Sequence, residues 1–430
     1  MKRFIMLSVM VMALCITVIG VVRSESSDLA PDISDGLCVI ASGRDMAKCG
    51  IAGKKLLFSG EDFKKSLNLS EISYITVTEL PDVSEGRLCI GDVLLNEGQT
   101  VSAANLELLN YSAANEEIRE SSFCFKANGN EYEMRCNIYL LTHENSAPTL
   151  DMEDEKLFSV STHQTVKIFG KLLAYDPDGD ELRYEIVSYA KGGTLELDSK
   201  SGEYSYTPTG SYFGEDGFEY VAVDKYGNYS SARRVNLTVE KLKTDTVYCD
   251  MEGNRDHHAA LTMTEKGIMN GTTIGDSTYF MPDKAVSRVD FVVMLMHAIG
   301  VDNIESVADT GFDDDAQIPA SMKGYLREAR KMGLVTGSVN EKGEYLFEPS
   351  REISRAEAAL IVSKLVDCAV PTVKPTFADK SEIPTWAHDA IYILNDLGIL
   401  TGENGNIAAT SSLTRAQTAK MLYELQNYIS

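Results

Sequence analysis

The chain has 430 residues, with 64 Asp and Glu against 40 Lys and Arg, which gives a formal net charge of −24. This acidic balance disfavours nucleic acid as a partner, because neutralising phosphates requires a basic face. Apolar residues make up 44% of the chain, enough to bury several cores. The length predicts about two to four domains, and the excess of acids suits an exposed surface or divalent cations.

The first residues have the pattern of a secretory signal peptide. Lys2 and Arg3 form a basic start, and residues 4–22 are almost wholly apolar. This pattern predicts a signal peptide over residues 1–24 that is removed on export. An uncleaved membrane anchor is the alternative, because the apolar run approaches the length that spans a bilayer. No later stretch is long and apolar enough to do so, and no membrane contact is expected after cleavage.

Residues 28–144 are predicted to form a β-rich domain. Segments with strand composition lie at 74–78, 87–90, 122–125 and 132–141. Asn128 and Gly129 separate the last two segments and are typical of a hairpin turn. The stretch 96–104 resembles part of a bacterial cadherin-like repeat.

The cysteine content permits disulfides in an exported protein. All 8 cysteines except Cys15 follow the predicted signal peptide: Cys38, Cys49, Cys89, Cys124, Cys136, Cys249 and Cys368. The first five of these fall in the β-rich domain, so at least one has no partner there. Cys124 and Cys136 flank the predicted hairpin and are the expected pair. No CxxC spacing indicates a zinc site.

Residues 145–240 are predicted to form a β-sandwich. Short strands separated by turn signals are expected at 182–186, 194–197, 204–206 and 218–224. The linker that precedes them, Asn-Ser-Ala-Pro at 145–148, resembles the sequence that opens bacterial cadherin-like and Ig-like modules. The resemblance implies one such module over the whole segment.

An acidic turn in this segment is a candidate calcium site. Asp176, Asp178 and Asp180 alternate across a glycine turn, and hard oxygens at this spacing can hold Ca²⁺. Asp224 could complete the site. The same sequence is also a good turn without a metal, and no bidentate glutamate follows at the offset of an EF-hand loop. Both interpretations stay open, and no other cofactor is expected.

Three similar boxes recur in the C-terminal part of the chain. They are Val-Ser-Arg-Val-Asp at 286–290, Ile-Ser-Arg-Ala-Glu at 353–357 and Leu-Thr-Arg-Ala-Gln at 413–417. Each opens an apolar run, and its hydroxyl residue stands three positions before an acid or amide, as in the capping box of a helix. Glycine pairs precede the boxes at 267 and 271, 333 and 337, and 398 and 402. A glycine just past a helix usually ends it, and the spacing of about 65 residues predicts an array of one supersecondary unit.

Arg288, Arg355 and Arg415 occupy the first helical position of the three boxes. A cation there lies at the unfavourable end of the helix macrodipole, which costs about 0.3–1 kcal/mol when it is exposed. Its recurrence indicates a functional reason, because an arginine beside free helical N–H groups forms a site for an anion. The alternative is an exposed arginine that merely pairs with a nearby carboxylate.

Each unit also starts with an aromatic residue two positions before an aspartate: Asp250, Asp314 or Asp379. Together with the glycine turn and the box, this start resembles the S-layer homology family, in three tandem copies at 245–302, 308–370 and 373–430. The resemblance implies a multidomain chain in which all-β, sandwich-like modules precede an all-α, pseudo-threefold helical unit. The first copy has Tyr248 where the family has phenylalanine and the most divergent box, so it is expected to bind weakly or to serve structure alone.

In that family the repeats bind a secondary cell-wall polysaccharide, often one carrying ketal-linked pyruvate, within a peptidoglycan-linked glycan. An anionic pyruvyl group would suit the arginine positions. The residues that the resemblance implies for this binding are Arg288, Arg355, Arg415, Asp250, Asp314, Asp379, Trp386, Gly271, Gly337 and Gly402.

The sequence leaves two functions open. The first is a non-catalytic, secreted surface protein that is held on the bacterial cell wall, displays its β modules as S-layer or envelope structure, and could self-associate. The alternative is a calcium-dependent adhesin or scaffold whose β modules bind an external partner, with the repeats only as a tether. No enzyme activity is expected, because the sequence contains no nucleophile elbow, phosphate loop or zinc-protease helix.

Overall fold

A computed structural model describes residues 45–150, 152, 158–302 and 304–429. Three hydrophobic cores divide them into two β modules and a C-terminal helical unit. The predicted order of β-sheet modules followed by helices is therefore confirmed. The predicted signal peptide and Cys38 lie outside the described residues. No helix in the described part of the chain combines the length and apolar character needed to cross a membrane.

The first module packs two sheets and two helices around one core. Its strands are β1 (Met46–Ile51), β2 (Leu56–Leu57), β3 (Tyr74–Glu79), β4 (Gly86–Ile90), β5 (Val93–Leu94), β6 (Thr100–Ser102), β7 (Leu109–Ala113), β8 (Glu120–Ala127) and β9 (Met134–Leu141), and its helices are α1 (Gly60–Leu67) and α2 (Ala103–Leu106). One sheet has the order β1-β9-β8-β3-β6 and the other β2-β7-β4-β5. Four phenylalanines with ring centroids 5.2–6.0 Å apart form the centre of the core: Phe58, Phe63, Phe123 and Phe125.

The expected disulfide between Cys124 and Cys136 is absent, and both cysteines are free. The pairing of β8 with β9 places Cys124 opposite Arg135, and Cys136 opposite Phe123. Successive side chains of a strand point to opposite faces of the sheet, so the two thiols lie on different faces and cannot bond. Burial raises the pKa of Cys124 to about 11, which keeps this thiol protonated and unreactive.

The second module is a sandwich of two sheets. Its strands are β10 (Ser159–His163), β11 (Ile168–Lys171), β12 (Leu182–Ser188), β13 (Gly193–Leu197), β14 (Glu203–Pro208), β15 (Gly214–Asp224) and β16 (Arg233–Glu240). The sheets have the orders β10-β16-β15-β12 and β11-β14-β13. Inside the sandwich, the Tyr206 hydroxyl donates to the Asp216 carboxylate at 2.7 Å, which satisfies a polar group that would otherwise be buried without a partner.

The two β modules meet beside the acidic turn. Tyr139 of β9 packs edge-to-face on Tyr226, with ring centroids 5.4 Å apart. A Cβ added to Gly227 would lie 2.1 Å from the carbonyl oxygen of Ala47. Only glycine allows this approach of the two backbones, so position 227 fixes how closely the modules pack.

The helical unit contains three helix pairs. Its helices are α3 (His257–Glu265), α4 (Arg288–Ala298), α5 (Ala320–Lys331), α6 (Arg355–Ser363), α7 (His388–Asp396) and α8 (Arg415–Ile429), and its short 3-10 helices span Asp315–Gln317, Lys380–Glu382 and Thr385–Ala387. Two hairpins also occur here, β17 (Thr272–Ile274) with β18 (Ser277–Tyr279), and β19 (Ser338–Val339) with β20 (Tyr345–Leu346). The first hairpin lies between α3 and α4 of the first repeat, and the second lies between α5 and α6 of the second repeat. The prediction of an all-α unit did not include these strands.

Local signals in the sequence fix the ends of these helices. Gly267, Gly333 and Gly398 follow the first helix of each repeat with φ of 70°, 73° and 71°, the left-handed conformation that ends a helix. The cap hydroxyls of Ser287, Ser354 and Thr414 accept from the amides of Asp290, Glu357 and Gln417 at 3.2–3.3 Å. Glu357 and Gln417 also accept from the amide of their cap residue. The shorter Asp290 bonds the Ser287 hydroxyl instead.

The three boxes bond to one another in a closed ring. The amide of Val286 donates to the carbonyl of Leu413 at 3.0 Å, that of Leu413 to Ile353 at 2.8 Å, and that of Ile353 to Val286 at 3.0 Å. All three side chains are buried. Since buried backbone groups need partners, each repeat depends on the other two.

A buried histidine pair joins the second module to the helical unit. The Nδ1 atoms of His163 on β10 and His258 on α3 lie 3.0 Å apart, and His258 Nε2 is 3.2 Å from the Tyr423 hydroxyl on α8. His163 Nε2 lies 3.4 Å from the Glu265 carboxylate. Val166, from the second module, belongs to the core of the helical unit. These contacts fix the module against the first and third repeats.

Candidate functional site

The three motif aspartates each hold a turn of their own repeat. Each carboxylate accepts two backbone N–H groups at 2.7–2.9 Å: Asp250 from Phe280 and Met281, Asp314 from Phe347 and Glu348, and Asp379 from Ile407 and Ala408. The second turn residue has a φ of 59°, 60° or 50°, which non-glycine residues seldom adopt. Burial raises the pKa of Asp379, but the amides of Ile407 and Ala408 outweigh it and leave the pKa below the usual value. The aspartates therefore stabilise strained turns.

The three motif arginines reach across to a neighbouring repeat. Each Nε donates to the carbonyl of the first turn residue, as follows: Arg288 to Phe347 at 3.0 Å, Arg355 to Ile407 at 2.8 Å, and Arg415 to Phe280 at 2.7 Å. Each turn peptide is thus held by an aspartate of its own repeat and an arginine of another. The contacts run from the first repeat to the second, the second to the third, and the third to the first.

The terminal guanidinium nitrogens of Arg288 have a different kind of partner from those of the other two arginines. Arg355 and Arg415 donate a second bond to the carbonyls of Thr401 and Asn270, each at 2.7 Å. Arg288 instead pairs with the Glu357 carboxylate at 3.0 Å. Burial lowers the pKa of all three guanidinium groups. Within the described residues, Arg355 and Arg415 have no carboxylate at ion-pair distance, although Glu403 and Asp256 lie close enough to Arg355, and Asp290 and Asp250 close enough to Arg415, to act on their charge.

The helix-start amides that the sequence analysis took as free are bonded in this structure. The amides of Arg288, Arg355 and Arg415 donate to the carbonyls of Arg351, Ser411 and Lys284 at 2.8–3.0 Å. The following amide in each box is bonded in the same way, to Pro349, Ala409 or Pro282. The expectation of an anion site made by free helical N–H groups is therefore wrong at these amides. Contacts between the repeats use these N–H groups as hydrogen-bond donors.

The predicted turn glycines lie where the chain packs too closely for a side chain. The nearest atom to an added Cβ would belong to the Tyr248 ring at Gly271 (2.4 Å), the Phe312 ring at Gly337 (2.7 Å) and the Asn406 carbonyl at Gly402 (2.4 Å). In the first two repeats, the glycine therefore accommodates the aromatic residue of the motif start. Whether these glycines, the aspartates or the arginines contact a glycan stays a prediction.

A groove of about 650 Å³ brings some of the predicted residues together. It lies where the second, third and first repeats meet, and Arg355, Thr401 and Gly402 line one side. Gln417 and Thr414 of the third box also line it. The other charged residues of its lining were not predicted: Glu203, which belongs to the second β module, and Arg255, Asp256, Asp283, Glu403 and Lys420. Gln417 and Lys420 are three positions apart on α8, so helical spacing alone could have added Lys420 to the box residues.

Several predicted residues lie away from this groove. Its lining does not include Arg288, Arg415 or the motif aspartates. Trp386 is 53% exposed in the 3-10 helix before α7 and is also absent from the lining. The structure therefore gathers two of the ten predicted residues, Arg355 and Gly402, into one concave surface.

The acidic turn of the second module forms a compact cluster. Asp176, Asp180 and Asp224 can each bring one carboxylate oxygen within 4.8 Å of the others. Asp176 is 6% exposed, and its Oδ2 is buried without a partner, a state that a cation would relieve. Lys225 Nζ lies 3.0 Å from Asp180 and occupies one side of the cluster. Asp178 accepts from the Ser146 amide at 2.7 Å and lies outside it, so its predicted place among the ligands is wrong in this arrangement.

Comparison with known sequences finds family matches in the helical unit and in the second β module. The S-layer homology domain matches residues 311–359 and 376–419, and the bacterial cadherin-like domain matches residues 145–241. The chain carries S-layer homology domains and a cadherin-like domain. S-layer homology domains imply attachment to a cell surface and generally bind secondary cell-wall polymers. The first repeat is outside the matched residues, yet it shares the aspartate, arginine and ring contacts of the other two.

The curated relatives that this chain resembles are much longer chains. An amylopullulanase of Thermoanaerobacterium thermosulfurigenes is 24% identical over 53% of this chain and 12% of its own length. An endoglucanase of Bacillus sp. strain KSM-635 is 28% identical over 37% of this chain and 16% of its own length. An S-layer protein of Bacillus thuringiensis subsp. finitimus is 31% identical over 21% of this chain and 11% of its own length. The chain thus spans less than a fifth of each of these relatives.

Proposed function

We propose that the helical unit attaches this protein to the bacterial cell wall by binding an anionic secondary cell-wall polysaccharide. The groove that contains Arg355 is the main support. The guanidinium of Arg355 is nearly buried, is held by the carbonyls of Ile407 and Thr401, and has no carboxylate at ion-pair distance among the described residues. A fixed arginine without an ion-pair partner favours a planar anion such as a carboxylate. The β modules would then be displayed outside, as S-layer or envelope structure, in a non-catalytic role.

The three repeats form, in this proposal, one pseudo-threefold unit. The ring of bonds among Val286, Ile353 and Leu413 supports it, as does the cyclic order of the arginine contacts. The sites need not be equivalent. The pairing of Arg288 with Glu357 supplies that arginine with an anion from its own chain, so the first box should contribute least to glycan binding.

Co-sedimentation of the full chain with purified cell walls tests the proposal. Walls that retain their secondary polysaccharide should pellet the protein, and walls from which it has been removed chemically should not. Lys420→Glu reverses a charge in the groove and should weaken binding at least tenfold, because an anion would meet a carboxylate there. Lys342→Glu makes the same charge change at an exposed position outside the groove, and should bind like the wild type. Equal binding to both kinds of wall would refute the proposal.

The acidic cluster favours a second function, that of a calcium-dependent adhesin or scaffold. Asn145 of the linker donates to Asp224 at 2.7 Å, and Tyr226 of the neighbouring turn packs on the first module. A cation bound by Asp176, Asp180 and Asp224 would therefore act at the junction of the two β modules. It would order that junction, and with it any surface that the two modules share.

A further inference from the structure

A second groove continues the first one onto the cadherin-like module. It measures about 410 Å³ and lies between β10 and β11 on one side and α3 and α8 on the other. The two grooves share Arg255, Asp256 and Lys420 in their linings. They therefore meet at these residues and form one cleft that starts at Arg355 and ends on the β module.

The β-module side of this cleft has side chains suited to a sugar. Ser159, Ser161 and Phe169 line it. The Phe169 ring lies 5.6 Å from the Arg255 guanidinium and also 5.6 Å from Lys167 Nζ. An aromatic ring can pack against the apolar face of a pyranose, while hydroxyl groups and cations bind its polar substituents. Phe169 also holds Arg255 in place by a cation–π contact.

The junction makes this wall a fixed part of the cleft. The chain of contacts from Glu265 through His163 and His258 to Tyr423 is buried beside it. Val166, three residues before Phe169, packs into the core of the helical unit. A module that hung on a flexible linker would not hold Phe169 at a defined distance from Arg255, but this one is packed against the repeats.

We propose that the cadherin-like module forms one wall of the polysaccharide site, so that the glycan runs from Arg355 past Arg255 and Lys420 onto Phe169. This inference rests on the proposed function and extends it, because the β module then contributes to wall binding instead of only being displayed. The ligand is an anionic polysaccharide, with its acidic groups at Arg255 and Lys420. Burial raises the pKa of Asp256 and of Glu424 beside them, so these two carboxyl groups take up a proton more readily than exposed ones.

Binding of the full chain to the soluble polysaccharide released from cell walls tests whether the cadherin-like module contributes to the site. Phe169→Ala should weaken the affinity roughly three- to tenfold, as expected for loss of an aromatic contact and of the Arg255 support. Ser161→Trp fills the cleft and should weaken it more than tenfold. Phe213→Ala is the matched control, because Phe213 is a 56% exposed phenylalanine of the same module outside the cleft, and it should bind normally. Thermal melts show whether each variant is folded.

The outcomes separate this inference from the proposed function. If the wild type binds and Lys420→Glu does not, but Ser161→Trp binds normally, the module is not part of the site and the proposed function stands. If Phe169→Ala is poorly folded, Ser161→Trp alone decides. If the wild type does not bind the released polysaccharide, both proposals fail. If Phe169→Ala and Ser161→Trp both bind more weakly and Phe213→Ala binds normally, the cadherin-like module is part of the site.

Discussion

The Nε atom of Arg415 in the third repeat donates a hydrogen bond of 2.7 Å to the carbonyl oxygen of Phe280 in the first repeat. The amide of Phe280 donates to Asp250 at 2.8 Å. One turn is therefore held by two charged side chains from two repeats. The arginine and the aspartate of the motif have a structural task before any ligand binds, which explains why a cation is tolerated at the start of a helix.

Arg415→Ala should destabilise the helical unit. It removes bonds from a charged group to the carbonyls of Phe280 and Asn270, and hydrogen bonds to charged groups contribute about 1.5–3 kcal/mol. The chain has 1 tryptophan, Trp386, which lies in the helical unit, so its fluorescence during urea unfolding reports on that unit. Arg327→Ala on the exposed face of α5 is the control and should change stability by less than about 0.5 kcal/mol. A stable Arg415→Ala that fails to bind cell walls would instead indicate a purely ligand-binding arginine.

Asp379→Asn should reduce the sensitivity of the helical unit to acid. The pKa of Asp379 lies below its ordinary value, so its stabilising effect is present above the pKa of the unfolded carboxyl group and is lost as pH falls towards the folded one. The Trp386 transition of the wild type should weaken as pH drops below about 4. The variant should be less stable at pH 7 and show a shallower decline below pH 4. Identical acid profiles would contradict this role.

His258→Gln should make the free energy of unfolding depend less on pH, in a range that begins above the one affected by Asp379. Burial, together with repulsion from His163 and His257, lowers the pKa of His258 to about 3. Between about pH 6.5 and 3, the unfolded imidazole binds a proton that the folded one excludes, so the folded state loses stability as pH falls. The substitution removes up to about 1.4 kcal/mol per pH unit of this slope. His143→Gln, at an exposed position, should leave the slope unchanged, and a slope unaltered in both variants would exclude His258 as its source.

Calcium should raise the melting temperature of the full chain. A ligand that binds only the folded state stabilises it by mass action, by about 2.7 kcal/mol at one hundred times its dissociation constant. Asp176→Asn should abolish the shift in millimolar Ca²⁺, whereas Asp178→Asn should keep it, because Asp178 lies outside the cluster. Lys225→Gln should increase the shift, since it removes the cation paired with Asp180. The absence of any shift in the wild type would leave a plain acidic turn.

The features that the sequence predicted correctly have local causes. The capping hydroxyls of Ser354 and Thr414 and the helix-ending Gly333 depend only on neighbouring residues, so residue type and spacing suffice to place them. The repeat order and the β character of the first modules follow from the same kind of pattern.

The features that the sequence did not predict depend on distant backbone. Arg355 and Arg415 bond carbonyl oxygens, at Ile407 and Phe280 among others, and every residue type supplies such an oxygen, so the sequence carries no signal for the partner. The disulfide prediction was wrong because it considered only the position of the two cysteines on either side of a hairpin. In the paired strands, Cys124 and Cys136 point to opposite faces of the sheet. Arg255 lies outside every motif position and enters the groove only through the packing of the repeats.

The closed ring of boxes also determines when the helical unit can be completed during synthesis. Among the described residues, the carbonyls of Phe280, Pro282 and Lys284 accept hydrogen bonds from Arg415 and Ala416, which are made more than a hundred residues later. In a linear array, each new repeat can fold onto the one before it. Here the carbonyls of the first repeat gain these partners after the last helix has been translated, so the first repeat to be made is completed together with the last.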